Sequence, residues 1–227
     1  MHKSPPLSVL AIVYLLMFVA AQLANSLMTS GAQNQNPYLP VEQLQTYYTQ
    51  STQGMLVSGF FLFASMMPLG LFTATVVSRL LFHRVQAAGV YIALFGGLAA
   101  AIFIGLSGLS VWALSQPGVA TETGAMRVAQ LLSFATGGFA HVAALGLLMA
   151  GVSVPCLFAK LLPRWVCWFG LILAAVCELA VLSILFPALS FLLPLGRFPG
   201  FIWLLAVGFK LPKNRRNISD SEAAAKH

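Results

Sequence analysis

Apolar stretches of about 20 residues recur six times along this chain of 227 residues, and each can cross the roughly 30 Å hydrocarbon core of a bilayer as an α-helix. With 59% hydrophobic and 7% charged residues, the composition excludes an ordinary soluble domain, in which about a quarter of the residues are charged. The predicted spans are Leu7 to Met28, Met55 to Ser78, Ala87 to Leu114, Val128 to Val154, Trp165 to Phe186 and Leu189 to Phe209.

We therefore predict an all-α, polytopic transmembrane bundle of six helices. The helices form one domain over residues 1–210, and residues 211–227 form a basic, disordered cytoplasmic tail. The first span is longer than the apolar core of a signal peptide and lacks a clean cleavage site, which favours a retained helix. Pro155 is expected to end the fourth helix, and Pro199 to occupy the first turn of the last one.

The basic residues indicate the orientation, because Lys and Arg accumulate on cytoplasmic loops. Of the Lys and Arg residues, all except Arg127 and Arg197 fall on the same side of the six-helix arrangement. They are Lys3, Arg79, Arg84, Lys160, Arg164, Lys210, Lys213, Arg215, Arg216 and Lys226. Both termini are therefore predicted to be cytoplasmic. This asymmetry accounts for the net charge of +7, so the lipid bilayer is the expected partner and no nucleic acid is implied.

The longest polar stretch is the first outer loop, TSGAQNQNPYLPVEQLQTYYTQSTQG. Within it, Pro40 is placed to open a short helix that carries Val41, Leu44, Tyr47 and Tyr48 on one side, a pattern suited to the membrane interface. Two interpretations stay open, an ordinary capping loop and a lid over an outward-facing cavity.

Small residues recur at intervals of four along the third span, at Ala93, Gly97, Ala101 and Gly105. Such a face lets a second helix approach closely, because association inside lipid depends on tight packing and polar contacts. We expect the third span to lie at the centre of the bundle. The same face is a candidate contact with another subunit.

Three ionisable residues fall at membrane depth, where a charge costs about 2.5 to 3.5 kcal/mol on insertion scales. They are His141, Glu178 and Arg197. Each lies about 20 Å from the inner boundary at 1.5 Å per residue. We predict that they meet in one buried polar layer, which Gln22 of the first span completes.

Glu178 and Arg197 are the expected ion pair of this layer, because their helices are consecutive and a guanidinium binds a carboxylate through two hydrogen bonds. His141 is placed to exchange a proton at the edge of the pair. A buried pair of this kind also serves as a structural clip. The sequence leaves open whether the layer is such a clip or a site for a ligand or proton.

A catalytic alternative rests on the sequence GLSG, Gly105 to Gly108, which matches a short pattern of intramembrane serine proteases. Ser107 would be the nucleophile and His141 its base, since a serine needs a base within hydrogen-bond reach. Their different depths weaken this match. No Cys/His metal spacing occurs, and a single histidine at membrane depth does not favour haem. We expect no cofactor, and we expect the three cysteines to be packing residues.

The segment GGFAHVAALGLLMAGVSVPCLFAKLLPRWVCWFGLILAAVCELAVL resembles a bacterial membrane family catalogued as domain of unknown function 4386. That family shows a histidine before a Leu/Gly-rich run and then LPRxLG, which His141 and LLPRWVCWFG match. The turn VVSRLLFHR is similar to its basic inner loop, whereas the first outer loop departs from its pattern. The resemblance implies six helices in a bacterial inner membrane and supplies no activity.

These features favour a non-enzymatic membrane protein, either a small binding or transport unit or an accessory subunit. The intramembrane serine hydrolase is the first alternative. A purely structural subunit of a membrane complex is the second, and a homo-oligomer stays open. No internal repeat supports a transporter, although many transporters are built from repeats.

Overall fold

The computed structural model describes residues 5–28 and 39–213. This part of the chain is helical without strands, and six of its helices are long and apolar enough to cross a membrane. The predicted all-α fold with six spans is therefore confirmed. The α-helices are α1 (Leu7–Met28), α2 (Val41–Gln50), α3 (Thr52–Phe82), α4 (Ala88–Leu114), α5 (Thr123–Phe134), α6 (His141–Phe158), α7 (Arg164–Ala180) and α8 (Leu192–Lys210).

The fourth span is one continuous helical element, Thr123–Phe158. The π-helical segment Ala135–Ala140 joins α5 to α6. Pro155 does not end this span, contrary to the prediction, because α6 continues to Phe158. Its ring lies against Gly89, where a Cβ atom would come within 3.1 Å of the ring, so the missing side chain of α4 leaves room for the proline.

The last two spans are joined by short 3₁₀ turns, Val181–Ile184 and Pro187–Phe191. Because α8 then begins at Leu192, Pro199 lies in its interior and not in its first turn, where the prediction had placed it. The first turn contains Pro194 instead.

The six spans form a closed ring in chain order, in which α8 returns to pack against α1. The third span, expected at the centre, packs against α3 and against all three parts of the fourth span, which are α5, the π-helical segment and α6. The fourth span is the more buried of the two, at 67% compared with 50% over their most apolar stretches, and α6 also packs against α7 and α8.

The small residues of α4 contact two different helices. Gly97, Ala101 and Gly105 face α3, and a Cβ atom on Gly97 would lie 2.2 Å from a side-chain hydroxyl oxygen of that helix. Ala93 faces α6, where its backbone nitrogen would lie 2.4 Å from a Cβ atom on Gly151. These close approaches occur within one chain.

We call the end of the bundle that holds residues 5 and 213 the terminal end, and the opposite end the α2 end. At the terminal end the fully buried side chain of Arg79 donates hydrogen bonds to the carbonyls of Leu211 (3.1 Å) and Pro5 (3.2 Å). Arg79 thus ties α3 to both ends of the described chain. The predicted disordered tail lies, from residue 214 onward, outside the described residues.

Candidate functional site

A cavity of about 320 Å³ lies at the α2 end, between α1, α2, α3, α4, α8 and the fourth span. Its apolar lining includes Phe18, Leu62, Ile104 and Leu193. Its polar lining consists of Gln22, Asn25, Tyr47, Tyr48, Ser58, Ser107, Gln130, Ser133, Ser190 and Arg197. The cavity therefore combines apolar surface with hydrogen-bonding groups, as small-molecule sites usually do.

Helix α2 covers this cavity. It begins directly after Pro40, which confirms the predicted short helix, and it buries Leu44 and Tyr48 in a small apolar cluster separate from the main core. Tyr47 exchanges two hydrogen bonds with the amide of Asn25, which donates at 2.9 Å and accepts at 3.1 Å. These contacts hold α2 across the end of α1 and favour the interpretation of α2 as a lid.

Tyr48 contributes a neutral hydroxyl to the same region. Burial raises the pKa of Tyr48 above its ordinary value, and the positive charge of Arg127 acts in the opposite direction. The hydroxyl lies close to the amide of Gln130, but the Gln130 Nε2 atom has no partner in hydrogen-bonding geometry. The lid thus meets the fourth span through neutral polar groups.

Arg197 is the charged residue of the cavity. Its Nη2 atom donates to the carbonyl of Gly137 in the π-helical segment, where the regular backbone hydrogen-bond ladder is interrupted. The guanidinium carbon lies 5.7 Å from the centre of the Phe18 ring, within the range of a cation–π contact. The Nε atom is buried without a partner, so the guanidinium is held in place but only partly satisfied.

Two further polar atoms of the cavity lining are buried without a partner, Nε2 of Gln130 and Oγ of Ser190. Gln130 is 4% exposed, and its Oε1 atom accepts a hydrogen bond of 3.2 Å from Arg127. Because a guanidinium only donates hydrogen bonds, this contact directs the amide NH₂ of Gln130 away from Arg127.

His141 lies in the core and does not line the cavity. Its Nδ1 atom is 2.9 Å from the carbonyl oxygen of Ala100, and its Nε2 atom is 3.3 Å from the hydroxyl of Tyr14. A carbonyl only accepts, so Nδ1 carries the hydrogen, and Nε2 of the neutral ring accepts from Tyr14. Both ring nitrogens are therefore used in structural contacts.

The structure does not form the predicted pair between Glu178 and Arg197. Glu178 is exposed on α7, its Oε1 atom lies beside α6, where a Cβ atom on Gly146 would be 3.3 Å from it, and it has no hydrogen bond or ion pair to a described residue. Its neighbour Cys177 instead faces α8, where its Sγ atom would lie 2.6 Å from a Cβ atom on Gly196. The common height expected for Glu178 and Arg197 therefore did not lead to a contact between the two side chains.

Of the predicted polar layer, the cavity brings together Arg197 and Gln22. Gln22 is exposed and lines the cavity from α1. His141 lies in the core outside the cavity lining, and Glu178 is exposed beside Gly146 of α6. The four predicted residues therefore do not form one cluster.

Ser107 lines the cavity but is not bonded to His141. Its hydroxyl donates to the carbonyl of Ser133 at 3.0 Å. His141 contacts Ala100, which precedes Ser107 by two helical turns, or about 10 Å along α4. Among the described residues, no base activates this serine.

No group of three or more His, Cys, Asp or Glu residues able to hold a metal ion occurs in residues 5–28 and 39–213. The three cysteines, Cys156, Cys167 and Cys177, are buried and free. Their sulfur atoms fill space in the core.

Sequence reasoning missed Gln130 and Ser190 as members of the site. Neutral amides and hydroxyls are common in transmembrane helices, where they form contacts between helices, so residue type alone does not distinguish a binding group. No protein-family model, curated protein or solved structure matches the chain. The resemblance of the fourth and fifth spans to a known family therefore stays a prediction.

Proposed function

We propose that this protein is a non-enzymatic, multi-pass membrane protein that binds a small molecule in the cavity beneath α2. It acts either as a small binding or transport unit or as an accessory subunit that presents the molecule to a partner. The observation that carries this proposal is that three of the five buried, unpartnered polar atoms of the described residues line one cavity, at Gln130, Ser190 and Arg197, whereas the other two, at Ser153 and Trp203, lie together beside Gly170.

An unsatisfied buried polar group costs about 1 to 3 kcal/mol. The main core buries its polar side chains mostly against backbone carbonyls, as Ser65 and Thr73 do. Three such costs at one cavity are offset when a bound molecule supplies the missing partners. The cavity volume of about 320 Å³ lies at the lower end of the range of roughly 300 to 1,000 Å³ for ligand sites, which fits a small ligand.

The proposed setting is a bacterial inner membrane, with both termini in the cytoplasm and membership of the family catalogued as domain of unknown function 4386. Arg79, Arg84, Lys160 and Arg164 lie at or beside the helix ends and turns of the terminal end, which supports a cytoplasmic position by the excess of basic residues on that side. The cavity then lies in the outer half of the bilayer.

The test is native mass spectrometry of the protein purified in mild detergent. We expect a bound small molecule of constant mass that dissociates at higher collision energy, and we expect the Ser190→Ala variant to retain less of it than wild type. A protein of purely apoprotein mass, with unchanged thermal stability in the presence of a metabolite library, would contradict the proposal.

A second candidate function, that of a structural subunit, is favoured by the exposed Glu178. A charged side chain at membrane depth usually faces protein or water, so a partner helix with hydrogen-bond donors would remove its cost. We expect light scattering to show wild type above monomer mass, Glu178→Gln nearer to it, and the exposed control Glu42→Gln unchanged. Monomeric wild type would exclude self-association through this face.

A further inference from the structure

The free hydrogen-bonding groups of the cavity are mainly donors. Gln130 directs its NH₂ group away from Arg127, whose hydrogen bond its oxygen accepts, and the Nε2 atom lies near the Tyr48 hydroxyl without a partner in hydrogen-bonding geometry. The Nε–H group of Arg197 has no partner, and the hydroxyl of Ser190 is also unpartnered. A guanidinium N–H and an amide NH₂ only donate, whereas a hydroxyl adapts. The missing partner is therefore an acceptor.

The charge of the cavity lining also favours a ligand with hydrogen-bond acceptors. Arg197 is its one formally charged residue, because the described residues around the cavity include no Asp, Glu, Lys or His. Glu178, the acidic residue expected at the same membrane depth, is exposed on α7 beside Gly146 of α6 and does not line the cavity. A cation at this depth normally has a negative charge nearby, and no acidic residue of the described cavity lining supplies one.

The exposed residues of the lining indicate an entrance between α1 and α8. The exposed residues of the lining are Gln22 on α1 and Pro194 on α8. Next to them, Leu23 and Leu195 are large apolar side chains with about half of their surface exposed, at 51% and 50%. Side chains of this kind on a membrane helix face lipid, so an amphipathic molecule can reach the cavity from the bilayer.

We infer that the ligand is a singly charged carboxylate with a short apolar body, held by Arg197, Gln130 and Ser190. This inference rests on the proposed binding function. One guanidinium balances one negative charge and suits the geometry of a carboxylate. The unpartnered Nε–H group of Arg197 would donate to the carboxylate, while Phe18, Leu62 and Leu193 line the space for the apolar body.

The experiment compares three probes with the same eight-carbon chain, octanoate, 1-octanol and octyl phosphate, by calorimetric titration of the purified full-length protein in nanodiscs. We expect octanoate to bind about tenfold more tightly than octanol, which corresponds to the loss of one charge-assisted contact. Octyl phosphate, whose charge approaches two at neutral pH, should bind more weakly than octanoate.

Variants test the assigned residues. Arg197→Gln should weaken octanoate binding about tenfold and leave octanol binding unchanged. Arg164→Gln, which removes an exposed arginine at the terminal end, should change neither. Because Arg197 also bonds to the π-helical segment, Ser190→Ala provides a second variant without a bonded partner to lose, and we expect it to weaken octanoate binding by a factor of about three.

Equal affinity for octanoate and octanol would overturn the carboxylate assignment and leave the binding function standing. Tighter binding of octyl phosphate would overturn it in favour of a phosphate ligand. No binding of any probe to folded wild type, together with the absence of a co-purified molecule, would overturn both the inference and the proposed function.

Discussion

The two ends of the bundle each contain an arginine on a membrane helix, and the two arginines differ in how completely they are satisfied. At the terminal end, Arg79 is fully buried and donates to two backbone carbonyls. At the α2 end, Arg197 donates to one carbonyl and keeps a buried Nε atom without a partner. At the terminal end the arginine joins α3 to both ends of the described chain, whereas at the α2 end the arginine lines a cavity.

This difference shows how residues of the same type divide between structure and function. Backbone carbonyl oxygens outside the helical hydrogen bonds need donors, and Arg79 supplies them at Leu211 and Pro5. The guanidinium of Arg197 has more donors than the protein uses. Hydrogen-bond satisfaction therefore distinguishes the two ends better than residue type or depth does.

The largest expected effect is that of Arg79→Met. It leaves the carbonyls of Pro5 and Leu211 without their donor, and two hydrogen bonds from a charged group are worth about 3 kcal/mol together. SDS-induced unfolding monitored by circular dichroism measures the change. Arg164→Met, at an exposed position of the same end, is the control and should unfold like wild type. Equal stability of wild type, Arg79→Met and Arg164→Met would contradict a structural role of Arg79.

The tight packing between α4 and α6 predicts that Gly151→Ala lowers the unfolding free energy, but by less than Arg79→Met does. Its new Cβ atom would lie 2.4 Å from the backbone nitrogen of Ala93, and overpacking of this kind costs about 1 to 3 kcal/mol. Gly124→Ala is the matched control, because no atom lies within 4 Å of a Cβ built there. The same unfolding assay should show a loss for Gly151→Ala alone. A stability as high as that of the control would argue against the close helix contact.

At the α2 end, Tyr47→Phe should loosen the lid without unfolding the bundle. The variant removes the hydrogen bonds to Asn25, a local loss of about 1 kcal/mol. Hydrogen exchange followed by mass spectrometry should show faster exchange in Val41–Gln50 and unchanged exchange in α3. Tyr91→Phe, at an exposed site on α4, controls for the loss of a hydroxyl. Uniform protection of α2 in both variants would mean that the lid is held by its apolar cluster.

The smallest effect concerns Glu178 and Arg197. Since the two side chains are not paired, a double-mutant cycle with Glu178→Gln and Arg197→Gln should be additive within about 0.5 kcal/mol. Unfolding free energies of the four proteins give the coupling. A coupling above about 1 kcal/mol would restore the ion pair that the sequence suggested.

The sequence predicted the number of spans and the short helix after Pro40, because the length of an apolar run and a proline before a helix are local signals. Gln22 and Arg197, two members of the predicted polar layer, both line the cavity. The sequence did not predict the π-helical segment before His141, since this segment consists of residues that also fit an α-helix. Pro155 was misjudged because its tolerance depends on Gly89 of another helix.

Glu178 shows why depth alone was insufficient. A count of residues along a helix gives height, but the direction of a side chain depends on the rotation of each helix about its own axis, which packing decides. Cys177 occupies the face of α7 toward α8, so Glu178, one residue later, points elsewhere. Gln130 and Ser190 were missed because their significance lies in partners that they lack, and a sequence does not show hydrogen bonds.

The most direct test of the account is an electron cryo-microscopy or crystal structure of the protein prepared with saturating octanoate. We expect density for one molecule beneath α2, with its carboxylate at Arg197 and its chain toward Phe18 and Leu193. An empty cavity in protein that has bound octanoate elsewhere would contradict the claim that these unpartnered donors form the binding site.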